Sequence, residues 1–193
     1  DTASMDPATV DLDFTLMTGV EKLTATTGTG SWTLGSLAQA AGITTFTGGN
    51  WAHTVQASTY TAALTVDLTA GAGTDVDTIT TGSGDDILIF DAADGLEDGD
   101  IIDMGGGTDT IKFQNTTTTD IVAVVDLDDL TSVEKFMTTD VDGAATNTEE
   151  DISITFSAIA EGTIQTITVD TSGITDSNDD VTVNASNGTA TTT

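Results

Sequence analysis

Two spacings of glycine and aspartate, one nested inside the other, constrain this chain more than any other feature. Residues 81–89 (Thr-Gly-Ser-Gly-Asp-Asp-Ile-Leu-Ile) and residues 104–112 (Met-Gly-Gly-Gly-Thr-Asp-Thr-Ile-Lys) share a nine-residue order of Gly, any, Gly, any, Asp, any, large apolar. Counting back nine residues from Asp86 and Asp109 reaches Asp77 and Asp100, each followed two residues later by an isoleucine, Ile79 or Ile102. A second, longer spacing carries Asp75 onto Asp98, Asp77 onto Asp100, Gly82 onto Gly105, Gly84 onto Gly107, Asp86 onto Asp109 and Leu88 onto Ile111. Ordinary turns do not require both registers at once, whereas stacked coils do. The chain is therefore expected to be all-β, a parallel β-solenoid or β-roll whose coils each hold two short strands and two turns. One edge stacks Asp75 and Asp77 on Asp98 and Asp100, and the other stacks the loop from Gly82 to Asp86 on the loop from Gly105 to Asp109.

The rest of the chain agrees with strands and turns. Short β-branched runs at residues 43–47, 64–68, 77–80, 87–90, 110–113, 121–127, 152–156, 163–169 and 181–183 alternate with Gly, Asp, Asn and Ser clusters. Two short helical turns are expected, residues 36–42 and 157–162, each opening on Ser and closing on Gly. A longer tandem repeat of roughly 115 residues is superimposed. Val20-Glu21-Lys22 returns as Val133-Glu134-Lys135, and Leu64-Thr65-Val66-Asp67 as Val181-Thr182-Val183-Asn184. This divides the chain into a first β-rich copy (1–70), the Gly/Asp coils (71–113) and a second copy (114–193) that stops before its own Gly/Asp stretch. The expectation is a fragment or processed subunit of a longer repetitive polypeptide.

Composition says what the aspartates are for. The acid consists of 26 Asp and only 6 Glu against 3 lysines and no arginine, a net charge of -29. Phosphate binding runs on Lys and Arg, so nucleic acid and anionic membrane surfaces are excluded as partners held by charge, and no apolar run approaches a membrane span. With no cysteine and a single histidine, His53, zinc has no ligand set; His53 reads as a surface or packed residue. Asp is the residue of tight turns and of hard cations bound beside backbone carbonyls. Carboxylates stacked one coil apart repel by about 4 kcal/mol per close pair at an effective dielectric near 20. Calcium at each stack reverses that sign, so the expected metal residues are Asp75, Asp77, Gly82, Gly84, Asp86, Asp98, Asp100, Gly105, Gly107 and Asp109.

Residues 71–113 resemble the calcium-binding β-roll of the repeats-in-toxin (RTX) proteins. The resemblance implies a bacterial protein exported by the one-step type I route, unfolded without calcium and folded on meeting it outside the cell. It names Asp86 and Asp109, with the carbonyls of their Gly loops, as the leading ligands. Asp75, Leu96 and Asp98 stand where the family pattern has Gly, and the family's coil is usually shorter than the step from Asp86 to Asp109. More loosely, the larger repeat is similar in style to segments of S-layer proteins and adhesins.

Enzyme classes find little support. No HExxH or GxSxG motif is present, and aromatics are only 5%, too few for the aromatic cleft a pair of glycosidase carboxylates would need. The threonine runs at 116–119 and 191–193 show no ladder at coil spacing of the kind an ice-binding face requires. The expected function is a non-enzymatic, calcium-dependent extracellular structural protein whose partners are copies of itself, as in an S-layer or filament. The alternatives are an adhesin module that binds a cell-surface glycan, and the secretion region of an exported enzyme.

Overall fold

The computed structural model describes residues 1–5, 8–25, 28–70, 75–91, 99–115, 121–126, 130–140, 152–157, 168–173, 181–185 and 191–192. Over these residues the chain winds as an all-β parallel solenoid. The largest sheet has nine strands in the spatial order β1 (Thr2–Met5), β2 (Lys22–Ala25), β4 (Thr45–Thr47), β6 (Thr65–Asp67), β8 (Ile87–Asp91), β10 (Thr110–Asn115), β13 (Lys135–Asp140), β15 (Thr168–Gly173) and β17 (Thr191–Thr192). The opposing sheet has five: β3 (Gly30–Thr33), β5 (His53–Gln56), β7 (Thr78–Thr80), β9 (Ile101–Asp103) and β12 (Leu130–Thr131). Later coils add a third sheet of β11 (Ile121–Asp126), β14 (Ile152–Ser157) and β16 (Val181–Ala185).

Most coil strands of the first half are short because each needs only one inward side chain. Thr45-Phe46-Thr47, Thr65-Val66-Asp67 and Thr78-Ile79-Thr80 all bury the central residue and turn the flanking pair outward. Register then piles these residues into two apolar columns. Leu23, Phe46, Val66, Leu88, Ile111, Phe136 and Val169 run through the large sheet; Trp32, Val55, Ile79, Ile102 and Leu130 face them. The expected rungs Ile79 on Ile102 and Leu88 on Ile111 are present, with all four side chains buried. Each buried aliphatic contributes about 1.5–3 kcal/mol, so stability accumulates coil by coil.

The longer of the two sequence spacings holds where it was read, between β7 and β9 and between β8 and β10. Elsewhere the step along the large sheet varies, from as short as that between Thr2 and Lys22 to as long as that between Lys135 and Thr168. Lys22 and Lys135 of the two Val-Glu-Lys segments both open a strand of the large sheet. Of the two expected helical turns, the first is α1 (Ser36–Ala41), closed by Gly42 in the left-handed region. Its N-terminus is capped from a distance: Asp11 accepts hydrogen bonds from the N–H groups of Gly35, Leu37 and Ala38. In the second, Ser157 instead ends strand β14, whose alternating Ile-Ser-Ile-Thr-Phe-Ser pattern carries it, and residues 158–162 lie outside the described residues. A threonine column does exist on the large sheet, at Thr2, Thr45, Thr65, Thr110 and Thr168, but Lys22, Ile87 and Lys135 interrupt it.

Candidate cation site in the glycine and aspartate edges

The turn that leads from the five-stranded sheet back to the nine-stranded one forms one edge of the solenoid. There the Gly82 to Asp86 loop lies under the Gly105 to Asp109 loop. The glycines are dictated by close backbone stacking. A Cβ on Gly105 would overlap the Gly82 carbonyl oxygen, one on Gly107 would overlap that of Gly84, and one on Gly82 would overlap that of Tyr60. Gly105 and Gly107 also have positive φ, 78° and 139°, while Gly82 and Gly84 do not. The loops are tied by Ser83 N–H to the Tyr60 carbonyl at 2.9 Å and Gly106 N–H to the Gly82 carbonyl at 2.8 Å.

The aspartates point into the stack, onto the backbone of the coil before. Asp86 Oδ1 accepts the Leu64 N–H at 2.7 Å, Asp109 Oδ1 accepts the Asp86 N–H at 2.7 Å, and Glu134 Oε2 accepts the Asp109 N–H at 2.8 Å. Asp85 Oδ1 reaches the other way, to the Thr108 N–H at 2.9 Å. The result is a ladder of carboxylates that satisfies amides left over where the chain turns. Glu134 and Asp85 were not among the expected residues. Glu134 stands slightly further beyond Asp109 than Asp109 stands beyond Asp86, and that small surplus hides it from a count at constant spacing.

The opposite edge repeats the device. Asp77 Oδ1 accepts the His53 N–H at 2.7 Å and Asp100 Oδ1 accepts the Asp77 N–H at 2.7 Å. His53 is packed against Trp32 and Phe46. Its Nε2 accepts from the Gly49 N–H at 3.1 Å, which leaves the proton on Nδ1, 3.2 Å from Asp77 Oδ1. Asp75 stands exposed beside this edge, and Asp98 lies outside the described residues. The other expected residues thus divide between two edges: Gly82, Gly84, Asp86, Gly105, Gly107 and Asp109 on one, Asp75, Asp77 and Asp100 on the other.

The two edges differ in electrostatics. Asp77 has an imidazole donor, whereas among the described residues neither Asp86 nor Asp109 has a Lys, Arg or His partner. Asp86 and Asp109 are 1% and 0% exposed, so their charge has lost its water. Burial pushes the Asp86 carboxyl upward, against the pull of its Leu64, Thr81 and Gly82 hydrogen bonds. Burial, reinforced by Asp86, Glu134 and Asp85, pushes Asp109 up to about 6. Asp109 Oδ2 is buried with no hydrogen-bond partner. In donor type the edge fits a hard divalent cation, which binds carboxylate and carbonyl oxygens together. Asp85, Asp86 and Asp109 are the aspartates of this ladder, and Asp109 Oδ2 is an oxygen the protein does not already use. Among the described residues no three His, Asp or Glu side chains form a metal cluster, so further ligands have to be loop carbonyls or water.

Compared with known proteins, the chain matches no family model, no curated protein and no solved structure. The likeness to the RTX β-roll therefore rests on the Gly/Asp register and on the parallel solenoid itself.

Proposed function

We propose that this chain is a repeat module of an extracellular structural protein that is held folded by calcium and assembles with copies of itself into a surface layer or filament. The observation that supports this reading best is the buried acid of the Asp86 and Asp109 edge, where one carboxylate oxygen has no protein partner and, among the described residues, no basic residue compensates the charge. A stack that costs energy as it stands becomes stabilising once a cation enters, which is the property of a fold that waits for the calcium of the extracellular medium. Bound there, calcium supplies positive charge and oxygen coordination. The chain's own residues do the rest: Asp86 and Asp109 hold the preceding coil's amides, the glycines allow the loops to touch, and Ile79, Ile102, Leu88 and Ile111 close the core behind them.

On this reading the protein is scaffold rather than catalyst, exported unfolded by the type I route, and its excess acid keeps it unfolded until calcium is met. The test is circular dichroism with electron microscopy on calcium-free protein, followed by addition of calcium. The expected result is a gain of strand signal and, after it, ordered sheets or filaments. Full strand content in chelator, unchanged on adding calcium, would overturn the calcium switch; folding without assembly would overturn the structural role and leave the glycan-binding module.

A further inference from the structure

The strand registers place all three basic residues of the chain on one surface. Lys22, Lys112 and Lys135 stand on the outward side of the nine-stranded sheet, at positions flanking the buried column. The acids of the described outward side chains on that sheet are Asp67, Asp91 and Asp170. Over its described side chains that face is neutral, and the net charge of -29 belongs to the rest of the chain. Its middle is apolar: Ile87, 38% exposed, and Ile89 stand on β8, and Met137 lies two strands away.

We propose that this face is a self-association surface, on which a second copy packs face to face about a two-fold axis running along β8. The proposal rests on the self-assembly reading and names the surface that assembly uses. Two chains of equal and large charge repel wherever acid meets acid, and a neutral face with an apolar centre escapes that penalty. The order of strands makes the face self-complementary. A two-fold axis along β8 exchanges β6 with β10, β4 with β13 and β2 with β15. Ile87 and Ile89 then meet their own copies. Asp67 of β6 lies opposite Lys112 of β10, in the same outward column, because Asp67 pairs with Ile89 and Ile89 with Lys112. Symmetry makes that pair twice, as in any isologous contact. Lys135, already paired with Asp170 at 2.6 Å, comes opposite the Thr45 and Thr47 strand, and Asp91, two residues beyond Ile89 on β8, meets its own copy at the end of the strand, where water and salt screen that one like-charge contact.

With strands spaced about 4.8 Å apart and residues about 3.3 Å apart, the face offers roughly 400–600 Å² per copy. That is below the ~800 Å² per partner of a standard stable complex. Single modules therefore associate weakly, and tandem modules reinforce one another through effective concentration. Salt strengthens the contact, since it screens the acid outside the face more than it weakens two short-range pairs.

The experiment is sedimentation velocity of the 193-residue chain in calcium at about 0.15 M salt, over a wide concentration range. Wild type, Asp67→Lys, Lys112→Glu and the double variant are compared, with thermal melts to show that each is folded. Asp67→Lys is expected to weaken association by about tenfold even though it lowers the net charge, Lys112→Glu by a similar factor, and the double variant is expected to recover it. A second readout tolerates a misfolded charge variant. The chain has no cysteine, so Ile89→Cys joined by a short bismaleimide is expected to give covalent dimer, and Thr78→Cys on the opposite sheet is not. Association that is unchanged in the single charge variants, or equal crosslinking from both cysteines, would place assembly on another face and overturn this inference alone. A wild-type chain that stays monomeric throughout would overturn the inference and the self-assembly reading together.

Discussion

Replacing Asp109 with Asn removes one charge from the buried ladder while keeping its shape. The Asp86 N–H keeps a side-chain oxygen to donate to, at the 2.7 Å position of Oδ1. What disappears is the carboxylate that burial and the neighbouring Asp86, Glu134 and Asp85 hold up at about 6, against an ordinary value near 3.9. In calcium-free solution the folded wild type therefore retains a proton between about pH 4 and 6 that the unfolded chain has released. Stability falls as the pH rises through that window, and above it Asp109 costs the fold up to about 3 kcal/mol. The Asn side chain has no such cost but buries an amide N–H₂ where Oδ2 was unpartnered, at about 1 kcal/mol. The expected result, from osmolyte-induced folding in chelator followed by circular dichroism, is an Asn variant about 1–2 kcal/mol more stable than wild type at pH 7.5 without calcium, with the advantage gone near pH 4. Adding calcium is expected to reverse the order, because the variant has lost the charged oxygen. A variant less stable than wild type at pH 7.5 in chelator, or an advantage that does not change with pH, would refute the assignment of Asp109 as an uncompensated buried charge.

Three further outcomes follow from the same geometry. The double variant Asp86→Asn with Asp109→Asn should lose most of the stabilisation by calcium, while Asp77→Asn, whose partner is the His53 imidazole, should keep it; calorimetric melts with and without calcium compare them. Gly105→Ala places a Cβ against the Gly82 carbonyl at a φ of 78° and should prevent stable folding or cost several kcal/mol, whereas a Cβ on Gly106 meets nothing within 4 Å and Gly106→Ala should cost under about 1 kcal/mol. Ile111→Ala, in the middle of the large sheet's buried column, should cost about 2–5 kcal/mol by chemical denaturation with no change in the spectrum of the folded state.

The coils around residues 75–113 were legible because their length stays constant: an unvarying step leaves glycine over glycine and aspartate over aspartate, so stacking writes itself into the chain as repetition. Strands such as β2 and β5 were not legible. His53-Thr54-Val55-Gln56 buries His53 and Val55, but a histidine does not read as apolar, so the sequence shows no hydrophobic period of two to detect. Coil steps of unequal length, short from Thr2 to Lys22 and long from Lys135 to Thr168, hide the rest of the register, and with it the gathering of Lys22, Lys112 and Lys135 on one face. The site was legible as a list of residues and not as a device. A carboxylate in a Gly-rich turn suits water, a cation or a neighbouring amide equally well, and only the fold shows Asp86 and Asp109 turned inward onto the previous coil.

That inward turn explains why aspartate matters at these positions. The amides of Leu64, Asp86 and Asp109 need an acceptor from the next coil, and Asn would provide one without placing a charge in a dry, acidic stack. An aspartate adds only a second, charged oxygen, and at Asp109 that oxygen is buried with nothing in the protein to meet it. At neutral pH it is a liability for the protein alone and, on the calcium reading proposed above, an asset once a cation is bound. The amide ladder binds each coil to the coil that follows it, so a coil's own hydrogen bonds are complete only when its successor has folded. Loading one step of such a ladder stabilises both coils that share it. On the calcium reading proposed above, a small number of cations would therefore decide whether the whole solenoid closes, even though most of its acid lies outside the ladder.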